Sequence, residues 1–329
     1  MIACGEDRWW RGVLILALLL GAAAWGIRPE WHSTPGLLAF FLVPWAVSLV
    51  VWGLPHGAID HFLLARLFRA QASGWIIAAA AGVYAALAVA VGVLWWRYPQ
   101  GAFVGFILLT WLHWGAGDLW WSWTRDREAL PSRAARLVFL LWRGSLPMVI
   151  PLLVDAGTYR RTAIAATGLW QYAGDWMVLE TGGVRYAVLA CGVILGLLRW
   201  MTGGQGRGAD LDRREDLALV VFFSVVPTLP AVGLYFTFWH GWRHVLRLQT
   251  RAPVTPGVDR TEKRSFFQEA WPMTLVSLVL LLGLAGWLHH REDPWSLLGV
   301  YLLLIACLTV PHAMLVTWMD WKSGLWSKG

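Results

Sequence analysis

Residues 75–96 read WIIAAAAGVYAALAVAVGVLWW, 22 positions without a charge. As a helix rising 1.5 Å per residue, this stretch is about 33 Å long. The hydrocarbon core of a bilayer is about 30 Å thick, so the segment spans it. Its Trp residues sit at the two ends, where an amphipathic ring favours the membrane–water interface. Comparable apolar runs cover 12–27, 36–54, 101–123, 134–154, 183–200, 217–242, 271–289 and 295–319. A less apolar stretch, 162–179, reads as a broken span or a surface helix. The fold predicted is an all-α, polytopic membrane bundle of about 8–10 spans, one domain over 1–329.

Composition supports this and excludes the alternatives. The chain is 58% hydrophobic and only 14% charged, against about 25% charged for a soluble domain. That is too little charge to cover soluble surfaces, and the apolar runs exclude disorder and a nucleic-acid-binding tail. The net charge of +7 reads as an orientation signal. Cys4, Cys191 and Cys307 match no disulfide framework or zinc spacing. Arg8 and Arg11 precede the 12–27 run, but no small-residue cleavage site follows, so it reads as a first span.

Charge also bears on the weak tenth segment. If 162–179 does not cross, Lys and Arg outside the spans divide 13 to 13; if it crosses, they divide 17 to 9. The positive-inside rule therefore favours ten crossings, with both termini and the 243–270 connector cytoplasmic.

Ionisable groups inside hydrocarbon are costly and point to function. Four clusters stand out: Pro55-His56-Gly57-Ala58-Ile59-Asp60-His61; His113 with Asp118; Trp239-His240-Gly241-Trp242-Arg243-His244; and Pro311-His312, with Asp320 beyond. His240 and His244 are one helical turn apart, which places both rings on one face. That spacing offers two nitrogens to one metal, or forms a hydrogen-bonded pair at a helix end. Asp60, one turn after His56, is placed to hold that ring's spare N–H, or to plug a helix contact with it. His113 and His312, each taken alone, read as satisfied core histidines or as ligands. His289, His290 and His32 read as interfacial or loop residues, and Arg243 and Arg247 as facing headgroups.

With ten crossings, the helices bearing His56, His113, His240 and His312 all run the same way. Counting from Pro44, Gly101 and Pro230 puts His56, His113, His240 and His244 roughly 15–21 Å along their helices. Four helices thus bring histidines to similar depth. Imidazole suits Fe, Cu, Zn and Ni. Three classes stand at this point: a non-haem metal enzyme, a b-type haem protein, and a transporter or proton pathway built on intramembrane His and Asp.

GLPHGAIDH at 53–61, HWGAGD at 113–118, FWHGWRHVLR at 238–247 and VPH at 310–312 resemble the Brp/Blh-like family of membrane β-carotene 15,15′-dioxygenases. The motifs run in family order over most of the chain. The resemblance implies cleavage of β-carotene, or a related carotenoid, at its central double bond with O₂, giving two retinals that pass to a rhodopsin. It implies Fe(II) as the cofactor, with ligands on His56, His113, His240 and His244. Asp60 and, less directly, Asp118, His61 and His312 would support those ligands. It also implies a multi-pass protein of a bacterial or archaeal cell membrane, with the lipid bilayer as partner and no nucleic acid. Family members usually carry Phe where this chain has Trp114, and Ser where it has Gly241.

Overall fold

The computed structural model describes residue 12 and residues 35–60, 74–170, 174–250, 266–287 and 294–326. Among them the regular elements are all helical: α1 (Pro35–Ser48), α2 (Pro55–Ala58), α3 (Gly74–Arg97), α4 (Pro99–Arg125), α5 (Arg133–Val154) and α6 (Ala156–Thr167) in the first half. α7 (Gly182–Thr202), α8 (Arg207–Val225), α9 (Thr228–Leu234), a π-helical turn (Tyr235–Gly241), α10 (Trp242–Thr250), α11 (Phe266–Trp287) and α12 (Pro294–Lys322) follow. Five helices are long and apolar enough to cross a bilayer: α4, α5, α7, α11 and residues 295–322 of α12. The chain is an all-α membrane bundle. The run at 12–27 lies outside the described residues, apart from residue 12.

Local chemistry sets the boundaries. Pro99 opens α4, where its missing N–H costs nothing. The Ser132 hydroxyl caps α5 by accepting from the Ala135 amide, and the Asp155 carboxylate caps α6 by accepting from Thr158. α4 and α5 are antiparallel and meet backbone to backbone. A Cβ on Gly115 would collide with the Leu140 carbonyl, and one on Gly144 with the Trp111 carbonyl. Without an aqueous driving force, such close approach is how helices associate in lipid.

Two expectations about the spans are corrected. First, 162–179 does not cross. α6 is only 12 residues long, about 18 Å. The Arg185 guanidinium at the start of α7 donates to the Leu153 carbonyl at the end of α5, at 2.8 Å. The intervening chain therefore leaves and returns at one end of the bundle. α7 then runs back antiparallel to α5, and Gly204 beyond its end donates to the Ala129 carbonyl at 2.9 Å. Second, 217–242 is not one span. Val226 is extended ahead of Pro227, as the proline ring requires of its predecessor. There the chain reverses: Phe223 packs on Tyr235 at 5.4 Å, and Glu215 pairs with Arg243 at 2.9 Å.

The two corrections each change the crossing count by one and cancel in direction. The legs 35–58, 99–125, 228–250 and 294–322 therefore do run parallel, as the shared-depth argument requires. Trp45 Nε1 donates to Leu229 O at 2.9 Å, while further along a Cβ on Gly241 would lie 2.8 Å from Trp52 O. Reversing α7 moves Arg199, Arg207, Arg213 and Arg214 to the richer side and Arg185 to the poorer. The sequence division of 17 against 9 becomes 20 against 6.

Candidate metal centre and cavity

The parallel legs bring five imidazoles together. His56 comes from α2, His113 from α4, His240 from the π turn, His244 from α10 and His312 from α12, and all five are buried. Ring centroids lie 5.0 Å apart for His56–His312, His113–His312 and His113–His240. They lie 5.1 Å apart for His244–His312, 5.2 Å for His56–His244 and 5.5 Å for His56–His240. His56, His113 and His312 each offer a nitrogen within 4.8 Å of the others'. His312, read from the sequence as a supporting residue, is thus part of the cluster itself.

The hydrogen bonds orient the rings. His56 Nδ1 lies 2.9 Å from the Trp52 carbonyl, which can only accept. A neutral His56 therefore carries its proton on Nδ1 and its lone pair on Nε2. His312 Nδ1 lies 2.8 Å from the Asp60 carboxylate, with the same consequence. Tyr84 donates to the same Asp60 oxygen at 3.1 Å and is within 3.2 Å of the Leu308 carbonyl. Asp60 therefore holds His312, not His56 as its spacing implied. α2 ends at Ala58, so the one-turn geometry is lost before Asp60.

Nε2 of His113, His240, His244 and His312 is buried without a hydrogen-bond partner. A buried polar atom left unpaired costs about 1–3 kcal/mol. Of these rings, His113 and His312, together with His56, have nitrogens close enough to share one metal ion, and imidazole nitrogen is a donor that Fe, Cu, Zn and Ni accept. The π turn contributes directly, since such turns re-aim side chains at functional sites. Within it Phe236 stacks on His240, and His240 stacks in turn on His244 of α10, with ring planes within 17° of parallel.

The other sequence expectations fare differently. Asp118 touches none of these rings. It accepts from Trp239 Nε1 at 3.1 Å and pairs with Arg143 at 3.2 Å and Arg243 at 3.0 Å. Arg243 and Arg247 do not face headgroups. Both are buried, Arg247 against Asp320. The carboxylates of α8 were hidden in a stretch that reads as a polar connector. Glu215 pairs with Arg125, Arg143 and Arg243, and Asp216 with Arg143 and Arg199. Asp212 pairs with Arg125 at 2.5 Å. Asp212, Glu215 and Asp216 at i, i+3 and i+4 are the signal that one helix face carries three acids. Tyr84 and the Trp52 carbonyl had no such signal. His32, His61, His289 and His290 lie outside the described residues.

His56, His113, His240 and His312 line one cavity of about 460 Å³, and His244 is not among its lining residues. The rest of its wall is almost wholly apolar, with Phe103, Phe106, Trp114, Met148, Leu229 and Phe236 among the lining residues. Trp114 stacks on Phe236 at 5.9 Å and tilts against His240 at 5.6 Å, so the indole narrows the cavity beside the rings.

The sequence matches a known family. Residues 47–320 fit the profile of β-carotene 15,15′-dioxygenase. The chain belongs to that family. Among its relatives, the probable β-carotene 15,15′-dioxygenase Blh of Halobacterium salinarum is 36% identical, covering 86% of this chain and 85% of its own. The probable β-carotene 15,15′-dioxygenase Brp of the same organism is 26% identical, over 94% and 92%. The β-carotene 15,15′-dioxygenase of an uncultured marine bacterium, 66A03, is 23% identical, over 85% and 94%. No solved structure matches the chain. The family match takes in all five clustered histidines together with Asp60 and the α8 carboxylates.

Proposed function

We propose that this protein cleaves β-carotene, or a closely related carotenoid, at the central 15,15′ double bond. One O₂ is consumed, each alkene carbon gains one oxygen, and two molecules of retinal leave. The observation that carries this reading is the wall of buried imidazoles facing an apolar cavity inside a membrane bundle. The names of the relatives supply the reaction.

In this reading His56, His113, His240, His244 and His312 hold a non-haem iron(II), the first three and His312 from the cavity side. Bound there, iron supplies the one-electron chemistry that lets O₂ react with an alkene. The protein does the rest. Trp52 and Asp60 fix the tautomers of His56 and His312, leaving both Nε2 lone pairs free. Phe106, Trp114 and Phe236 grip the polyene and hold its middle against the rings, which is catalysis by position. The cavity's apolar wall keeps bulk water away. Rings this close, from four different legs, suit one ion rather than the two faces of a porphyrin. Both termini and the 243–270 connector are cytoplasmic, because that end carries the excess of arginine.

Expression in bacteria that accumulate β-carotene tests the reading. Loss of orange colour with stoichiometric retinal is the expected result. Unchanged carotenoid in cells that hold folded, iron-loaded protein would reject it. A Soret band in the purified protein would point to haem instead.

A further inference from the structure

We infer that the cavity opens sideways into the bilayer between α3 and α11, and that the carotenoid enters and leaves through this gap. The inference rests on the proposed substrate and adds its route. Ala81, Ala85 and Val89 on α3 line the cavity, as do Met273, Val276 and Leu280 on α11. Several of the same residues are also exposed on the outside of the bundle: Val89 at 66%, Met273 at 43%, Val276 at 51% and Leu280 at 57%. A side chain that both lines a cavity and meets the exterior marks its mouth. Both helices pack on α12, whose Ile305, Leu308 and His312 form the floor between them.

The sequence makes the gap. Ala81, Ala85 and Ala88 fall at i, i+4 and i+7, on one face of α3. In lipid, small residues normally let two helices touch. Here the face is turned to the cavity, so the missing side-chain volume is open space. A second observation points to a ligand. The Thr110 hydroxyl, one turn before His113, is buried, lines the cavity and has no partner, and Asp60 Oδ1 is in the same state.

The mouth leads directly to the rings. Just inside it, Tyr84 on α3 holds Asp60, which holds His312. A polyene dissolved among lipid tails would pass from one apolar medium to another, with no transit through water. The occupant is therefore a long apolar lipid-soluble chain, not a water-borne ligand.

The test measures uptake apart from cleavage. Iron-depleted protein in phosphatidylcholine nanodiscs is mixed with phosphatidylcholine vesicles containing β-carotene, and quenching of tryptophan fluorescence gives the uptake rate. Ala85→Trp and Val276→Trp put a bulky ring into the gap from either side. Each should slow uptake by about one to three decades, with iron capacity and melting temperature unchanged. Val83→Trp and Leu282→Trp, on exposed faces outside the cavity lining, should take up carotenoid at the wild-type rate. Wild-type uptake in either gap variant overturns the route, as does equal slowing in the controls. If wild-type protein takes up β-carotene but the iron-loaded form releases no retinal, the proposed reaction fails while the entrance stands.

Discussion

The Asp60 carboxylate and His312 Nδ1 are 2.8 Å apart although 252 positions separate them in the chain. This contact ties α12 to the chain just beyond the short α2 that presents His56, and Tyr84 ties α3 to both. Removing a partner of this kind from a ligating histidine typically costs about 10–100-fold in metal affinity or activity. Asp60→Asn keeps an acceptor but loses the charge. It should bind iron more weakly by that order and still form retinal. Iron content and retinal yield on one preparation check it; turnover and affinity at wild-type levels would make Asp60 a packing group.

His312 should behave as a ligand. His312→Ala should remove iron and cleavage as completely as His56→Ala, His113→Ala or His240→Ala, because each leaves the cluster one nitrogen short. Iron quantified by mass spectrometry on purified variants decides this. Full iron in His312→Ala would return the site to the four histidines that the sequence resemblance implies.

Gly241 bears on the site through Trp52. A Cβ there would meet the Trp52 carbonyl at 2.8 Å, and that carbonyl accepts from His56. Gly241→Val forces the two segments apart. The expected outcome is a folded protein with iron occupancy reduced, while Gly283→Val, which meets nothing within 4 Å, keeps wild-type occupancy.

The buried charges hold the bundle together on the far side of the π turn. Asp118, Asp212, Glu215 and Asp216 face Arg125, Arg143, Arg199 and Arg243 across four helices and α10. Removing one member of such a buried set costs about 3–5 kcal/mol, because its partners stay buried and unneutralised. Glu215→Gln should lower the melting temperature in detergent clearly more than Asp210→Asn, whose side chain is exposed.

The revised topology has its own check. A reporter fused at residue 255 should report the cytoplasm, and one at residue 205 should now report the same side. Ten simple crossings would have placed 205 outside. Periplasmic signal at 205 would restore 162–179 as a crossing.

Much of this molecule was written in its one-dimensional pattern. Long uncharged runs admit only membrane helices, since lipid satisfies no backbone polar group. Histidines inside those runs had to be functional or paired, because burying them otherwise is too costly. The motifs carried the family. Fold class, membrane setting and the intramembrane placing of all five clustered histidines follow from such local facts, while the resemblance named four of them as ligands and His312 as support. Hydropathy does not see a reversal inside an apolar run, so the turn at Val226–Pro227 was invisible in 217–242. The same measure could not tell that 162–179 folds back on itself. Partner choice was also beyond the sequence. The i, i+4 rule assigned Asp60 to His56, but α2 is too short to keep that geometry, and the Trp52 carbonyl was already there. Only packing placed Asp60 on His312 and Asp118 among arginines, because each depends on how distant helices meet.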